Sequence, residues 1–159
     1  MRKSVIAALA VGIASLGALA GAEGHISEKQ LEAAAKARQS HMQLYSFNLA
    51  TLGGMAKDEI AYDVAAAQTA ADNLAALASL SQAGYWLPGS DNESIEKTRA
   101  LPAIWAEGSD IGMKGQAFVE AVMAMQVAAG ADVDALKAAM GPLGGACGAC
   151  HKSYRQSDN

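Results

Sequence analysis

The chain is poor in aromatic residues, in cysteine and in positive charge. Its 159 residues include two tryptophans, four tyrosines, two phenylalanines and two cysteines, and 12 basic residues stand against 16 acidic ones. A basic face is the usual mark of a nucleic-acid-binding protein, so this composition argues against that function class. An acidic surface instead favours partners that carry a basic docking patch. The two cysteines are so close in sequence that a disulfide between them would add little stability.

Both cysteines belong to the segment Cys147-Gly-Ala-Cys150-His151, close to the C-terminus. Two thiols at this spacing with a histidine directly after the second are the attachment signature of c-type haem. On a helix, positions i, i+3 and i+4 share one face, so one turn can present all three groups to a flat macrocycle. The motif predicts one haem c per chain, covalently bound through Cys147 and Cys150, with His151 reaching the iron.

Two other interpretations of the cysteine pair stay open from the residues alone. A thioredoxin-like redox pair is expected near a βαβ pattern, and the sequence shows no such pattern. A structural zinc site needs four ligands, usually with a second closely spaced Cys or His pair. The only other histidines, His25 and His41, are distant and poorly spaced for that purpose. Haem attachment is therefore the favoured interpretation.

The N-terminus has the pattern of a secretory signal peptide. Basic residues at the start precede an apolar run over 5–19 and then small residues, with cleavage after Ala20 or Ala22, of which we favour Ala22. A permanent membrane anchor is the alternative, but the run is short and rich in alanine and glycine. We therefore predict a signal peptide over residues 1–22 and a single periplasmic domain over 23–159, with no membrane span after cleavage.

Four stretches of the mature chain carry apolar residues at three- and four-residue spacing, which predicts four helices. The first opens on a capping-box pattern of Ser27 and Gln30 and runs to about Lys57. The second is predicted over 60–81, the third over 110–129, and the fourth begins at an Asp132 cap. The inward positions include Leu31, Ala35, Arg38, Met42, Tyr45, Leu49 and Leu52 in the first helix, Gly115, Phe118, Val122, Met125 and Ala129 in the third, and Val133, Leu136, Met140, Leu143, Cys147, Cys150 and Tyr154 in the fourth.

Four amphipathic helices with heptad-like stripes predict an all-α, antiparallel four-helix bundle. Because the haem cysteines fall on inward positions, the cofactor should be held in the bundle near the C-terminal helix. Pro142 is expected to kink the fourth helix or restart it, which would set the haem turn on a short terminal helix. The long connection over 82–109 carries Trp86 and Trp105, which we expect to anchor it to the bundle.

This arrangement resembles the class II c-type cytochromes, which comprise cytochrome c-prime and its low-spin, methionine-ligated relatives such as cytochrome c-556. The resemblance covers about residues 27–155. Its matching segments are Arg38-Gln39-Ser40, Pro102-x-x-Trp105 and Cys147 to His151 followed by Tyr154-Arg155. It implies thioether anchors at Cys147 and Cys150, His151 as the proximal iron ligand, Tyr154 and Arg155 in the haem surroundings, and Arg38 near a haem propionate. It also implies a homodimer through the first two helices, which the sequence itself does not require.

The charge of Arg38 gives its predicted role a second basis. An unpaired charge at an inward helix position is costly, and a propionate would be a natural counter-ion. In the alternative, the guanidinium extends to solvent from the helix edge.

The function depends on the distal side of the iron, where family members divide. A small or apolar distal residue leaves a five-coordinate haem that binds nitric oxide or carbon monoxide, whereas a ligating methionine gives a low-spin electron carrier. Here Met42 lies one turn after Arg38 on the same stripe, and a thioether is a suitable axial ligand. We predict His151/Met42 ligation and electron transfer between redox partner proteins of unknown identity. The alternative is a high-spin, gas-binding cytochrome in which Met42 only lines the pocket.

His41 should point about 100° away from Met42 and lie at the surface. No paired carboxylates and no nucleophile-base set accompany the haem motif, so we do not expect an enzyme.

Overall fold

The computed structural model describes residues 26–157, and four α-helices dominate this part of the chain. They are α1 (Glu28–Ala56), α2 (Val64–Ser79), α3 (Ile111–Ala129) and α4 (Val133–Tyr154). Each helix packs against the next one in the chain, and α4 returns to pack against α1. The predicted antiparallel four-helix bundle is therefore confirmed. Within these residues, no helix is long and apolar enough to cross a membrane. The predicted signal peptide lies outside the described residues.

The helix starts follow from local capping chemistry. The side-chain oxygen of Gln30 accepts from the backbone N–H of Ser27 at 2.8 Å, as the capping pattern predicts. Asp132 caps α4 by accepting from the N–H of Ala135. The second helix begins later than predicted because Asp63 caps it, leaving 60–63 outside the helix.

The core lies between all four helices and consists mainly of aliphatic residues and alanines. Its fully buried large side chains are Leu52, Leu74, Val122, Met125, Leu136 and Leu143. The buried face of α2 contributes Ala67, Ala70 and Ala71 beside Leu74, and such small side chains allow its neighbours to approach closely.

The prediction that Pro142 would set off a separate terminal helix is wrong, because α4 runs unbroken from Val133 to Tyr154. Proline removes the N–H that would bind the carbonyl of Ala138. Both residues are exposed, so water can satisfy that carbonyl. The haem motif therefore continues the main rod of α4.

The buried seam of α1 is rotated relative to the predicted one. It passes through Arg38, His41, Tyr45, Asn48 and Leu52, at alternating steps of three and four residues. The expectation that His41 lies at the surface is wrong, since only 5% of it is exposed. The His41 ring packs at 4.6 Å from the ring of Tyr45 and at 5.9 Å from that of Tyr85. Aromatic neighbours hold the His41 imidazole in the core, although the spacing of apolar residues predicted that the next residue, Met42, would face inward.

The connection between α2 and α3, residues 80–110, contains two short 3-10 turns, Ala83–Tyr85 and Pro102–Trp105. The predicted anchoring by its two tryptophans is confirmed, because both rings stack on Arg38 of α1. The indole N–H of Trp105 also donates to the carbonyl of Trp86 at 3.0 Å.

Candidate haem site

The haem motif occupies the last two turns of α4. Cys147 and Cys150 are free, half-buried thiols, and His151 is exposed beside them. Burial raises the pKa of both cysteines, so the thiols stay protonated at neutral pH. Partial burial lowers the pKa of His151, as do the positive charges of Arg155 and Arg99. The imidazole is therefore neutral at neutral pH, which is the form that binds metals.

The antiparallel register of α1 and α4 fixes which residue of α1 is level with His151. A Cβ placed on Gly53 would lie 3.7 Å from the terminal methyl of Met140, and Lys137 Nζ lies 2.9 Å from Asp58 Oδ1. Met42 precedes Gly53 by 11 residues, and His151 follows Met140 by 11 residues. Eleven residues make about three turns, or about 16 Å, so each residue returns to the face of its reference position. Met42 and His151 are thus level with each other on the facing sides of α1 and α4.

Tyr45 supports the same register from inside the bundle. Burial raises its pKa to about 12, a hydrogen bond from Gln82 opposes the rise, and the neighbouring Cys147 adds to it. The proximity of Tyr45 to Cys147 agrees with the alignment of α1 and α4 in which Met42 is level with His151. The Tyr45 ring also packs edge-on against the ring of Phe118, with 5.0 Å between the ring centres. Two aromatic rings therefore lie in contact beside the motif.

Met42 departs from the sequence prediction in one respect. Its side chain is 38% exposed, whereas the predicted stripe made it an inward residue. The core seam passes one residue earlier, through His41, so Met42 lies at the edge of α1 that faces α4. A thioether at this edge is available to a group held between the two helices.

A glycine of α3 leaves open space beside the motif. Gly115 lies two turns before Val122 on the core-facing stripe of α3, yet it is exposed and a Cβ there would meet nothing within 4 Å. Its neighbour Lys114 acts electrostatically on Cys150, which puts this open stretch of α3 beside the cysteines. The site offers two thiols, an imidazole and a thioether, and a glycine leaves open space on the neighbouring face of α3. These groups fit covalently attached haem.

Arg38 is buried, so the alternative in which it extends to solvent is wrong. Only 5% of it is exposed, and its two terminal nitrogens donate to Tyr85 O, to Ser90 Oγ and O, and to Thr98 Oγ1. These bonds occupy four of its five N–H groups and leave only Nε for a propionate. The propionate role stays a prediction.

The charge of Arg38 has a protein counter-ion that sequence reasoning missed. Burial lowers the pKa of Arg38, and the buried Asp91 opposes that shift. Hydrogen bonds from Ser94 and from the backbone of Glu93 hold the Asp91 carboxylate in place. Asp91 lies in an irregular connection, where no periodicity marks a residue as buried.

Tyr154 and Arg155 end α4 and join it to neighbouring segments. The Tyr154 hydroxyl donates to the carboxylate of Asp110, and accepts from the Asp110 N–H at 2.9 Å and from Ser109 Oγ at 3.2 Å. Asp110 also binds Lys114 at 2.8 Å. These hydrogen bonds connect the haem turn to the start of α3. The sequence had indicated Asp110 only as the start of a helix. Arg155 forms an isolated bridge with Ala100.

Within residues 26–157, no group of three or more His, Cys, Asp or Glu side chains is arranged to hold a metal ion by itself. The structure therefore offers no support for the zinc alternative, and the α-only fold does not supply the βαβ context of a thioredoxin-like pair.

A four-helix bundle whose last helix carries Cys-x-x-Cys-His close to the C-terminus defines a class II c-type cytochrome. Comparison with known proteins agrees with this class. The chain belongs to the cytochrome c' family, whose model, described as Cytochrome C', matches residues 33–155. Members of this family bind covalently attached haem c, and they are haem proteins of electron transfer or gas binding.

Several known cytochromes are similar to the chain. Cytochrome c-554 of Cereibacter sphaeroides is 44% identical over 130 residues, which cover 82% of this chain and 85% of the relative. The structure of cytochrome c' from Rhodobacter Spheriodes superposes with a TM-score of 0.78 at 36% identity, covering 80% of this chain and 98% of that one. A carbon monoxide-bound variant of cytochrome c prime from Alcaligenes xylosoxidans gives a TM-score of 0.70 at 31% identity, covering 80% and 97%.

Proposed function

We propose that this chain is a periplasmic monohaem electron carrier whose iron is ligated by His151 and Met42. The observation that carries the proposal is the register of α1 and α4, which makes Met42 level with His151 on the facing side of the bundle.

Each residue of the site has a defined part in this function. Haem c supplies an iron that changes between two oxidation states. Cys147 and Cys150 would hold the group through thioether bonds, and His151 would supply a neutral imidazole to the iron. Met42 would supply a thioether sulfur as a second iron ligand, which would favour a higher reduction potential than a second histidine would. The packed rings of His41, Tyr45 and Phe118 support a rigid setting with little rearrangement on electron transfer.

A second candidate function has a specific observation in its favour. The Met42 side chain is more than a third exposed, so core packing does not hold its sulfur in one position. If the sulfur does not bind, the iron is five-coordinate and its distal face binds nitric oxide or carbon monoxide. The carbon monoxide-bound relative supports this candidate.

The ferric absorption spectrum of the haem-loaded protein distinguishes the two functions. Methionine ligation predicts a low-spin spectrum with a sulfur-to-iron charge-transfer band that disappears in Met42→Ala. The matched control is Met123→Ala, because Met123 is 60% exposed on α3, away from the stretch beside the cysteines, and should leave the band unchanged. A high-spin spectrum of the unmodified protein with ready carbon monoxide binding would contradict electron transfer by this ligand set.

We also propose a mature chain that begins at Glu23 after removal of a signal peptide, which the intact mass of the secreted protein measures.

The partner surface that we propose for a second copy of the chain lies on α1 and α2. Leu44 and Phe47 are 50% and 72% exposed there. They lie beside a shallow groove whose lining residues are Phe47, Asn48, Thr51, Ala65, Ala66, Thr69, Ala70 and Asn73. Small side chains on α2 would let another helix approach closely, and sedimentation velocity measures whether it does.

A further inference from the structure

We propose that Arg38 is a positioning residue that, together with Gln39, clamps the α2–α3 connection onto α1 and thereby fixes the last turn of α4. That turn carries His151, so the clamp controls the setting of the proximal ligand. The inference does not depend on the distal ligand, and it applies to an electron carrier and to a gas-binding protein alike.

The clamp consists of short contacts from α1 to three points of the connection. Arg38 donates to Tyr85 O at 2.7 Å, to Ser90 Oγ and Ser90 O at 2.7 Å each, and to Thr98 Oγ1 at 3.2 Å. Its guanidinium carbon also lies 5.0 Å from the ring centre of Trp86 and 5.9 Å from that of Trp105. Both tryptophans of the chain therefore pack on one side chain of α1.

Gln39 adds a contact at a point of the connection with an unusual backbone conformation. Its side-chain N–H donates to the carbonyl of Lys97 at 2.6 Å. Lys97 has a φ of 61°, in the left-handed region that residues with a Cβ seldom adopt. The Gln39 contact lies next to Thr98, so two neighbouring residues of α1 hold two neighbouring residues of the connection.

A short run of hydrogen bonds leads from the clamp to α4. Thr98 Oγ1, which accepts from Arg38, also accepts from the N–H of Ala100 at 3.3 Å. The next N–H, of Leu101, donates to Tyr154 O at 3.0 Å. The N–H of Gln156 donates to Arg99 O at 2.8 Å. Thr98 thus connects the guanidinium on α1 with the strand-like pairing that holds the end of α4.

The clamp and a propionate counter-ion differ in what they require of residue 38. A counter-ion needs a positive charge, which lysine also supplies. The clamp needs a planar fork that donates in several directions while stacking on two indoles, which lysine cannot provide. A clamp also depends on Thr98, which carries no charge and would be irrelevant to a counter-ion.

Hydrogen exchange of the Leu101 and Gln156 amides in the haem-loaded protein tests the proposal. Thr98→Val keeps the side-chain shape and removes the shared acceptor, so we expect both amides to exchange about tenfold faster. Arg38→Lys should accelerate them at least as much. The matched control is Ser79→Ala, because the Ser79 hydroxyl bonds only within α2, to Ala76 O, among the contacts of residues 26–157, and both reporter amides should keep their rates.

The reduction potential provides a second readout. Thr98→Val and Arg38→Lys should shift it in the same direction, because both loosen the turn of His151, whereas Ser79→Ala should not shift it. The proposal is overturned if the Leu101 and Gln156 amides of Thr98→Val exchange within about twofold of the unmodified rates. The proposal is also overturned if the two amides of Arg38→Lys exchange at the unmodified rates, because a positive charge at residue 38 would then be enough to hold the end of α4.

Discussion

Replacing Tyr154 by phenylalanine removes the hydroxyl that joins the haem turn to the start of α3. The ring of Tyr154 is 8% exposed and would stay in place, so the change creates no cavity. The lost group donates to the Asp110 carboxylate and accepts from the Asp110 N–H and from Ser109. The variant therefore isolates the contribution of these hydrogen bonds.

The expected loss of stability follows from the charge and exposure of the partner. A hydrogen bond to a charged group contributes about 1.5–3 kcal/mol. The Asp110 side chain is 39% exposed, so water can replace part of what Tyr154 gives it. We expect Tyr154→Phe to lower the free energy of unfolding by about 2 kcal/mol, which corresponds to a fall of about 8 °C in Tm.

Urea unfolding of the ferric, haem-loaded protein, followed by far-UV circular dichroism, measures this loss. Tyr62→Phe is the matched control, because its hydroxyl donates at 2.9 Å to a neutral carbonyl, that of Ala129, and should cost about 1 kcal/mol. In an Asp110→Ala background most of the Tyr154→Phe effect should disappear. The reasoning is refuted if Tyr154→Phe costs no more than Tyr62→Phe.

Two further predictions concern acid stability and assembly. Hydrogen bonds from Lys114 and Tyr154 lower the pKa of Asp110, so its contribution is present above the unfolded pKa near 3.9 and is lost as pH falls through the lower folded value. Asp110→Asn should thus reduce the difference in urea midpoint between pH 7 and pH 3, and an unchanged difference would contradict this account. Phe47→Asp should convert the proposed dimer to monomer in sedimentation velocity, whereas Val127→Asp, 78% exposed on α3, should leave it dimeric. Equal behaviour of the two variants would argue against the α1–α2 surface.

The fold was predictable because its information is local and periodic. Caps at Ser27 and Asp132 and stripes of apolar residues marked the helices, and four such stripes have few ways to bury themselves other than as a bundle. The prediction at Pro142 was wrong because a proline disrupts a helix less where the carbonyl that it leaves unpaired faces water.

The parts of the candidate site that depend on residues close together in the sequence could be predicted. Cys147, Cys150 and His151 form a local motif, and one turn separates Arg38 from Met42. The burial of His41 and the exposure of Met42 were not predictable, because neighbouring helices select which of two adjacent positions faces inward. Asp91 belongs to an irregular segment whose partners come from distant parts of the chain.

The register that makes Met42 level with His151 also limits how the gene can change in length. Inserting one residue between Met42 and Gly53 would turn Met42 by about 100° and shift it by about 1.5 Å along the helix. The same holds between Met140 and His151. We therefore expect insertions and deletions among natural variants of this chain to be excluded from these two stretches and to occur in the exposed turns of the α2–α3 connection.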